Sequence, residues 1–349
     1  MDGKVNIGVI GAGWWASHSH IPSLLANPHV GTVAVNRPDA DGLEKVVASF
    51  AGVKPYLDAG EMLAREPLHG VVVASPHVLH AEHGRMALSK GLHTLIEKPM
   101  ATTAADAHML VETAKANNAE IVLPYGWNFR PIVEEAHRLV EDGFIGEVRH
   151  VALHMASALA DLFAGQPMLE TKEHLFRPPP STWADPGRAG GYGWGQLTHG
   201  LGALFRIVNL DPARVFCRMG LSPAGVDFHD AAVVDFANGA TMVLSGAATV
   251  PKSRGYQIDI RVFGTEGMLL FDIERPRVEA VRHDGKTRIV ELAPDAGDYE
   301  TVAPITLLVD LCRGEKIANP ADAVVGMRSA VLLDAMYRSA ASGRMEEVR

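Results

Sequence analysis

The sequence predicts an α/β fold: an N-terminal Rossmann-type, doubly wound parallel sheet, then a C-terminal α/β domain with an open, mainly antiparallel sheet. Three observations carry this. Val5–Ile10 is a short apolar run leading straight into Gly11-Ala12-Gly13-Trp14-Trp15-Ala16, a G-x-G-x-x-A pattern at a strand-to-helix turn. Short Val- and Ile-rich runs then alternate with helical patterns as far as Tyr125. Beyond Arg130, strand-like runs succeed one another with hairpin signals between them.

In chain order, strands are read at Val5–Ile10, Thr32–Val35, Gly70–Ser75, His93–Glu97 and Glu120–Tyr125. Helices lie between them at Asp41–Phe50, Val78–Lys90 and Thr103–Asn117. Val and Ile runs without alternation fit strands covered on both faces by helices. The texture changes after Arg130. A helix over Pro131–Glu141 stops at Gly143, and a strand follows over Val148–Met155. An irregular stretch with Pro178-Pro179-Pro180 and Gly190-Gly191 leads to a helix over Leu197–Val208. Strands are read at Arg214–Met219, Ala231–Phe236, Thr241–Val250, Gln257–Phe263 and Met268–Phe271. Asn238-Gly239 and Asp284-Gly285 are hairpin turns. Pro320 opens a last helix reaching Ala341. The expected division is residues 1–125 for dinucleotide binding and 126–349 for substrate binding and oligomerisation.

Bulk properties narrow the function. With 349 residues and 47% apolar content the chain can bury a core in each of two domains. A net charge of −9 without a long basic run argues against a nucleic-acid partner. Cys217 and Cys312 match neither a zinc pattern nor a secreted disulfide framework. No signal-peptide pattern and no membrane-length apolar run is present, so a cytoplasmic protein is expected. His18 and His20 form an H-x-H without further ligands at metal spacing, and no metal site is expected.

The chemistry is concentrated in a few segments. Gly11 permits the tight turn, Gly13 lets backbone approach a pyrophosphate, and Ala16 is small enough for the helix to pack on the strand. Trp14 and Trp15 open a helix whose terminal amides and dipole favour phosphate. The next strand ends Val35-Asn36-Arg37-Pro38-Asp39. No acid stands at its tip for ribose hydroxyls, and arginine suits a 2′-phosphate, so Asn36 and Arg37 tilt the reading from NAD toward NADP. Ser75-Pro76-His77-Val78-Leu79-His80 follows a strand and is placed near the nicotinamide half of the cofactor, with His80 organising the loop. Glu97-Lys98-Pro99 follows the next strand, where strand ends face the ligand crevice. A lysine there can hydrogen-bond a reacting hydroxyl and assist proton removal when its surroundings lower its pKa. Glu97 is read as a partner of Lys98 or of a cofactor ribose. In Gly190-Gly191-Tyr192-Gly193-Trp194-Gly195-Gln196-Leu197-Thr198-His199, the histidine can carry a proton near neutral pH. The glycines allow a tight loop close to a ligand. Trp194 offers a flat face to a sugar ring, with Tyr125, Trp127 and Trp183 as further stacking candidates.

These segments, in this order, resemble the Gfo/Idh/MocA family of NAD(P)-dependent oxidoreductases. The resemblance rests on Gly11, Gly13 and Ala16; on Ser75, Pro76 and His80; and above all on Glu97-Lys98-Pro99. Tyr125-Gly126-Trp127-Asn128-Phe129-Arg130-Pro131, Gly143-Phe144-Ile145-Gly146-Glu147-Val148 and Ala335-Met336-Tyr337-Arg338-Ser339 are similar to later family segments. The resemblance implies an active site in a cleft between the two domains, Lys98 as catalytic lysine and His199 as proton acceptor. Tyr125, Trp127, Asn128, Trp183, Trp194 and Gln196 are the residues expected on the substrate side. One departure stands out. The family often has an aspartate four residues before the histidine, and Gly195 holds that place here. Gln196 or a nearby group then compensates, or substrate is held differently.

The function expected is hydride transfer between NAD(P) and a secondary alcohol or ketone of a sugar, sugar derivative or cyclitol. Two alternatives remain: sugar or glycoside processing with a retained cofactor, through transient C3 oxidation and elimination of a glycosidic bond, and a non-catalytic NAD(P)-binding sensor. A small carbohydrate-like substrate is the expected partner, and the resemblance implies a homo-oligomer, dimer or tetramer.

Overall fold

A computed structural model describes residues 3–349 of the chain. They form two compact units. The first comprises the chain up to Pro124 together with Pro167–Thr182 and Thr301–Met327. The second comprises Tyr125–Gln166, Trp183–Glu300 and Arg328–Arg349.

In the first unit, β1 (Val5–Ile10), β2 (Val30–Asn36), β3 (Lys54–Tyr56), β4 (Gly70–Val73), β5 (His93–Ile96) and β6 (Ile121–Val122) make one sheet in the order β3-β2-β1-β4-β5-β6. Every pair is parallel. Ile7, Val9, Val71, Val72, Leu95 and Ile96 are fully buried, as strands covered on both faces require. The strand order reverses direction between β1 and β4, the place where such sheets open a ligand crevice. Helices Ala40–Ser49, Ala59–Arg65 and Ala104–Ala116 start on Asp39, Asp58 and Thr103, whose side chains accept the amides of Gly42, Glu61 and Asp106. Each such cap contributes about 1 kcal/mol. The helix after β1 contains a π-turn, Ala16–His20, closed by the Ile21 amide on the Ala16 carbonyl. Pro22 follows it and has no amide to return to His18. The wider turn accommodates that missing bond.

In the second unit, β7 (Val148–Ala156), β8 (Pro212–Leu221), β9 (Asp227–Phe236), β10 (Thr241–Ala247), β11 (Gln257–Gly264), β12 (Gly267–Asp272), β13 (Arg277–Arg282), β14 (Thr287–Ile289) and β15 (Glu346–Glu347) form a sheet ordered β14-β13-β12-β11-β7-β10-β9-β8-β15. Its pairs are antiparallel except β7 with β10. Burial alternates along β10, with Met242 and Leu244 inward and Val243 outward. Helices Pro131–Glu141 and Thr198–Ile207 pack on each other, the first also against β12 and β13, the second against β7.

The mixed α/β architecture is the expected one, with local differences. The strand read to Tyr125 stops at Val122, and Leu123 donates to the Ala321 carbonyl. The last helix begins at Ala323, not Pro320, because Asp322 accepts the Val324 and Val325 amides at 2.9 and 3.0 Å. Helix Ala303–Cys312 was not expected. It is apolar nearly all round and buries Ile305, Leu308 and Val309, so no polar face marks its period. Among the described residues, no helix is long and apolar enough to cross a membrane.

Candidate functional site

In the first unit the chain leaves β1 at Gly11 with φ +88°, where an added Cβ would lie 2.6 Å from the Cα and N of Ser75. Only glycine fits. The Gly11 and Ala12 amides donate to the Asn36 carbonyl at 3.1 and 2.9 Å. Gly13 has another use. A Cβ there would meet nothing nearer than the Gly11 carbonyl at 3.9 Å and Arg37 Nη1 at 4.0 Å, so the turn leaves a cradle that a side chain would fill. A helix begins at Trp14, so the positive end of its dipole stands at the same turn. These residues fit a dinucleotide diphosphate. Gly11→Ala is expected to cost about 3 kcal/mol through backbone strain and the clash with Ser75. Thermal unfolding checks this, and an unchanged midpoint would contradict it.

Asn36 is buried and donates its amide to the Tyr56 and Leu57 carbonyls at 3.3 and 3.1 Å, bracing β2 against β3. Arg37 donates to the Ala12 carbonyl at 3.0 Å and pairs with Asp39 at 2.6 Å. Its guanidinium lies 4.1 Å from the centre of the Phe176 ring. Phe176 belongs to Pro167–Thr182, which packs with this unit as a strap. Trp14 Nε1 donates to His174 Nδ1 at 2.8 Å, and His18 stacks on His174 with centroids 4.0 Å apart. That bond leaves the proton of a neutral His174 on Nε2. Burial and the neighbouring His18 push the His174 pKa down. Trp15 packs edge-on to Trp14 and beside His18. The sequence reading missed His174 and Phe176, because a proline-rich stretch has no periodicity from which to place them.

His80 is buried and spans two loops, with Nε2 2.7 Å from the Ser75 carbonyl and Nδ1 2.7 Å from the Pro99 carbonyl. Burial pushes its pKa down, and the two carbonyl contacts oppose that. Ser75 Oγ meets His83 Nδ1 at 2.9 Å, and Pro76 leads into a short turn over His77–Leu79. Glu97 is buried, with Oε1 on His20 Nε2 at 2.8 Å and Oε2 accepting the Lys98 amide at 3.1 Å. Burial alone would raise this carboxyl; the bond to His20 and the charges of His20 and Lys98 outweigh burial and hold it low. His20, half of the H-x-H, is thus the partner that fixes Glu97. Lys98 stands just past β5. Burial pulls its amine down from 10.5 to about 8, opposed by the charge of Glu97.

In the second unit His199 lies in the first turn of Thr198–Ile207 and is buried. Tyr125, Trp127 and Tyr299 meet its ring edge-to-face at 5.9, 5.7 and 5.2 Å. Tyr125 bonds Thr198 Oγ1 at 2.9 Å, and Trp127 donates to the Gly297 carbonyl at 2.9 Å. Asn128 donates to the Gly202 carbonyl at 3.0 Å, so it braces the helix that carries the histidine. Tyr299 and Tyr256, which packs on Trp127, were not anticipated.

Gly195 and Gln196 sit in a π-turn, Gly193–Leu197, that feeds this helix. A Cβ on Gly195 would lie 2.7 Å from Phe163 and 3.2 Å from Trp183, and those two rings pack edge-to-face. No aspartate fits there without moving them. Trp194, read as a sugar platform, stacks on Tyr337 at 5.0 Å with one face covered. The glycines of the segment also make room for protein. A Cβ on Gly191 would lie 2.0 Å from Asp227 Oδ1, and one on Gly193 2.7 Å from the Tyr337 hydroxyl.

Known proteins resemble the chain in both units. Residues 5–124 match the model of the GFO_IDH_MocA oxidoreductase family, NAD-binding Rossmann fold, and residues 133–270 match the GFO/IDH/MocA C-terminal domain. The chain is 27% identical to dTDP-3,4-didehydro-2,6-dideoxy-alpha-D-glucose 3-reductase of Streptomyces antibioticus, over 92% of this chain and 93% of that one. It is 24% identical to D-xylose 1-dehydrogenase (NADP(+)) 2 of Haloferax volcanii, over 98% and 99%. Levoglucosan dehydrogenase, solved with NADH and levoglucosan, shares the fold at a TM-score of 0.76 and 19% identity, covering 99% of each chain.

Proposed function

The chain belongs to the Gfo/Idh/MocA family of NAD-binding oxidoreductases, and on that premise we propose that it moves a hydride between a nicotinamide dinucleotide and a secondary alcohol or ketone of a sugar, sugar derivative or cyclitol. The observation that supports this most is Lys98, an amine past the C-terminal end of β5 whose pKa burial lowers to about 8. The dinucleotide supplies the hydride acceptor or donor. Gly11, Gly13 and the helix beginning at Trp14 would hold its diphosphate, and His80 and Glu97 keep the flanking loops in place. Lys98 donates a hydrogen bond to the reacting oxygen and stabilises the negative charge that develops there. His199 takes the hydroxyl proton in oxidation and returns it in reduction. Tyr125 and Trp127, read as stacking platforms for a sugar, are fully buried and instead enclose the His199 ring with Tyr299.

NADP is the proposed preference. Arg37 adjoins the diphosphate turn through Ala12, and its plane is held by Phe176, whereas Asp39 is committed to a helix cap and to Arg37. Arg37→Ala is expected to weaken NADP about ten- to hundredfold, the value of a charge-assisted hydrogen bond, with NAD changed less than about threefold. Calorimetric titration of both nucleotides checks this; equal losses would contradict the preference. A cytoplasmic homo-oligomer is the proposed setting.

The experiment that tests the function is to identify any nucleotide that copurifies, then to screen sugars and cyclitols for a change in nicotinamide absorbance. Turnover with such a substrate supports the reading. A bound dinucleotide with no turnover across the panel in either direction opposes it.

A further inference from the structure

A buried pair of acids stands behind the segment that carries His199. β9 opens with Asp227, and its pairing with β8 slips so that Gly220 faces His229 while Leu221 faces Asp227. The extra residue is a bulge, and it breaks the alternation of the strand. Asp227 and Asp230, three residues apart, therefore both turn into the core, where each is at most 3% exposed. Asp227 Oδ2 accepts the Gly193 amide at 2.7 Å, and Oδ1 accepts the Tyr337 hydroxyl at 2.7 Å. The Tyr337 oxygen in turn accepts the Trp194 amide at 3.3 Å, and the Trp194 ring lies flat on the Tyr337 ring. Asp230 is different. Among the described residues, neither of its oxygens meets a donor. Gly246, its partner on β10, leaves the space it fills: a Cβ there would lie 2.9 Å from Asp230 Oδ2.

A carboxylate buried without a donor is too costly to keep ionised, so it retains its proton and can donate it to a neighbouring carboxylate. We propose that Asp227 and Asp230 hold one proton between them and act, through Gly193 and Tyr337, as positioning residues for the turn that delivers His199. This rests on the reading of His199 as the proton acceptor. The pair does from behind what an aspartate at position 195 cannot, since Phe163 and Trp183 occupy that space. The titratable groups that face the pair, Tyr192 from the segment itself, Tyr337 from the last helix and Cys217 from β8, are raised by burial and by its charge and stay uncharged at neutral pH. Burial raises both acids, and the charge of Asp227 raises Asp230 further. As pH rises and Asp230 gives up its proton, a second negative charge appears in this enclosure, and the segment loosens.

Hydrogen exchange of peptides covering residues 190–199, measured on the full chain across neutral and alkaline pH, tests this without recourse to activity. Asp227→Asn is expected to speed exchange in the segment at least tenfold at neutral pH. In wild type, protection is expected to fall reversibly at alkaline pH beyond the intrinsic base dependence, and Asp230→Asn is expected to remove that extra fall. Tyr337→Phe carries the test if Asp227→Asn does not fold, and is expected to speed exchange of the same peptides severalfold. Wild-type protection in both Asp227→Asn and Tyr337→Phe would overturn the proposal, as would an alkaline loosening that Asp230→Asn leaves intact. Full activity in a His199 variant, with the exchange results as expected, would remove the catalytic reading and leave the acid pair standing as the support of this turn.

Discussion

Replacing Lys98 with Met is expected to lower kcat by about 10³-fold while dinucleotide affinity stays within a few-fold of wild type. The Met side chain has similar length and keeps the packing, but it cannot donate a hydrogen bond to the substrate oxygen. The same change is expected to stabilise the fold at neutral pH. In the unfolded chain the amine titrates near 10.5, and in the folded chain near 8. Between those values the unfolded state binds more protons, so stability rises with pH through that window, and below about 8 the full cost of burying the ammonium is present. Removing it should return on the order of 3 kcal/mol, seen as a higher unfolding midpoint at neutral pH. For the reductive reaction the ammonium is the working form, so kcat/KM should fall as pH passes about 8. Lys98→Arg, whose charge does not titrate there, should lose that fall at a lower overall rate. An Ala or Met variant with undiminished turnover would end the assignment.

His199→Asn is expected to lower kcat and kcat/KM together by about 10²- to 10⁴-fold, the usual worth of a positioned general base. A parallel loss in both parameters marks an interaction made in the transition state rather than in binding. Asparagine retains a polar group within the aromatic enclosure, so near-native circular dichroism should accompany the loss. In the oxidative direction the deficit should shrink as pH rises, because hydroxide takes over as proton acceptor. A variant that only raises KM would make His199 a substrate anchor.

Much of this was legible in the sequence, for physical reasons. The glycine turn shows because Gly11 occupies a conformation closed to other residues and Gly13 borders an open cradle. Lys98 was found by the E-K-P signature, and its depressed pKa then follows from burial. What stayed hidden depends on contacts between distant segments. Glu97 was read as facing Lys98 or a ribose, yet its Oε1 is taken by His20, far away in the chain. The glycines of residues 190–195 were read as making room for a ligand, but Gly191, Gly193 and Gly195 make room for Asp227, Tyr337 and Phe163. Asp227 and Asp230 were left outside the strand read from Ala231, because acids are poor strand formers and the bulge breaks the period of two. Two acids three residues apart, Asp227 and Asp230, ahead of the apolar run Ala231–Val234 were the available signal. Short or edge elements such as β3, β14 and β15 carry too few residues to show a pattern.

We propose that Lys98 and His199 serve one proton-coupled hydride transfer. The most direct test is single-turnover kinetics of wild type, Lys98→Met, His199→Asn and the double variant, on the substrate that the screen identifies. If both act on the same step, the double variant should be slower than the slower single variant by no more than about tenfold, since residues working as a unit are far from additive. Losses that multiply in full, or a double variant that still turns over near the wild-type rate, would contradict it.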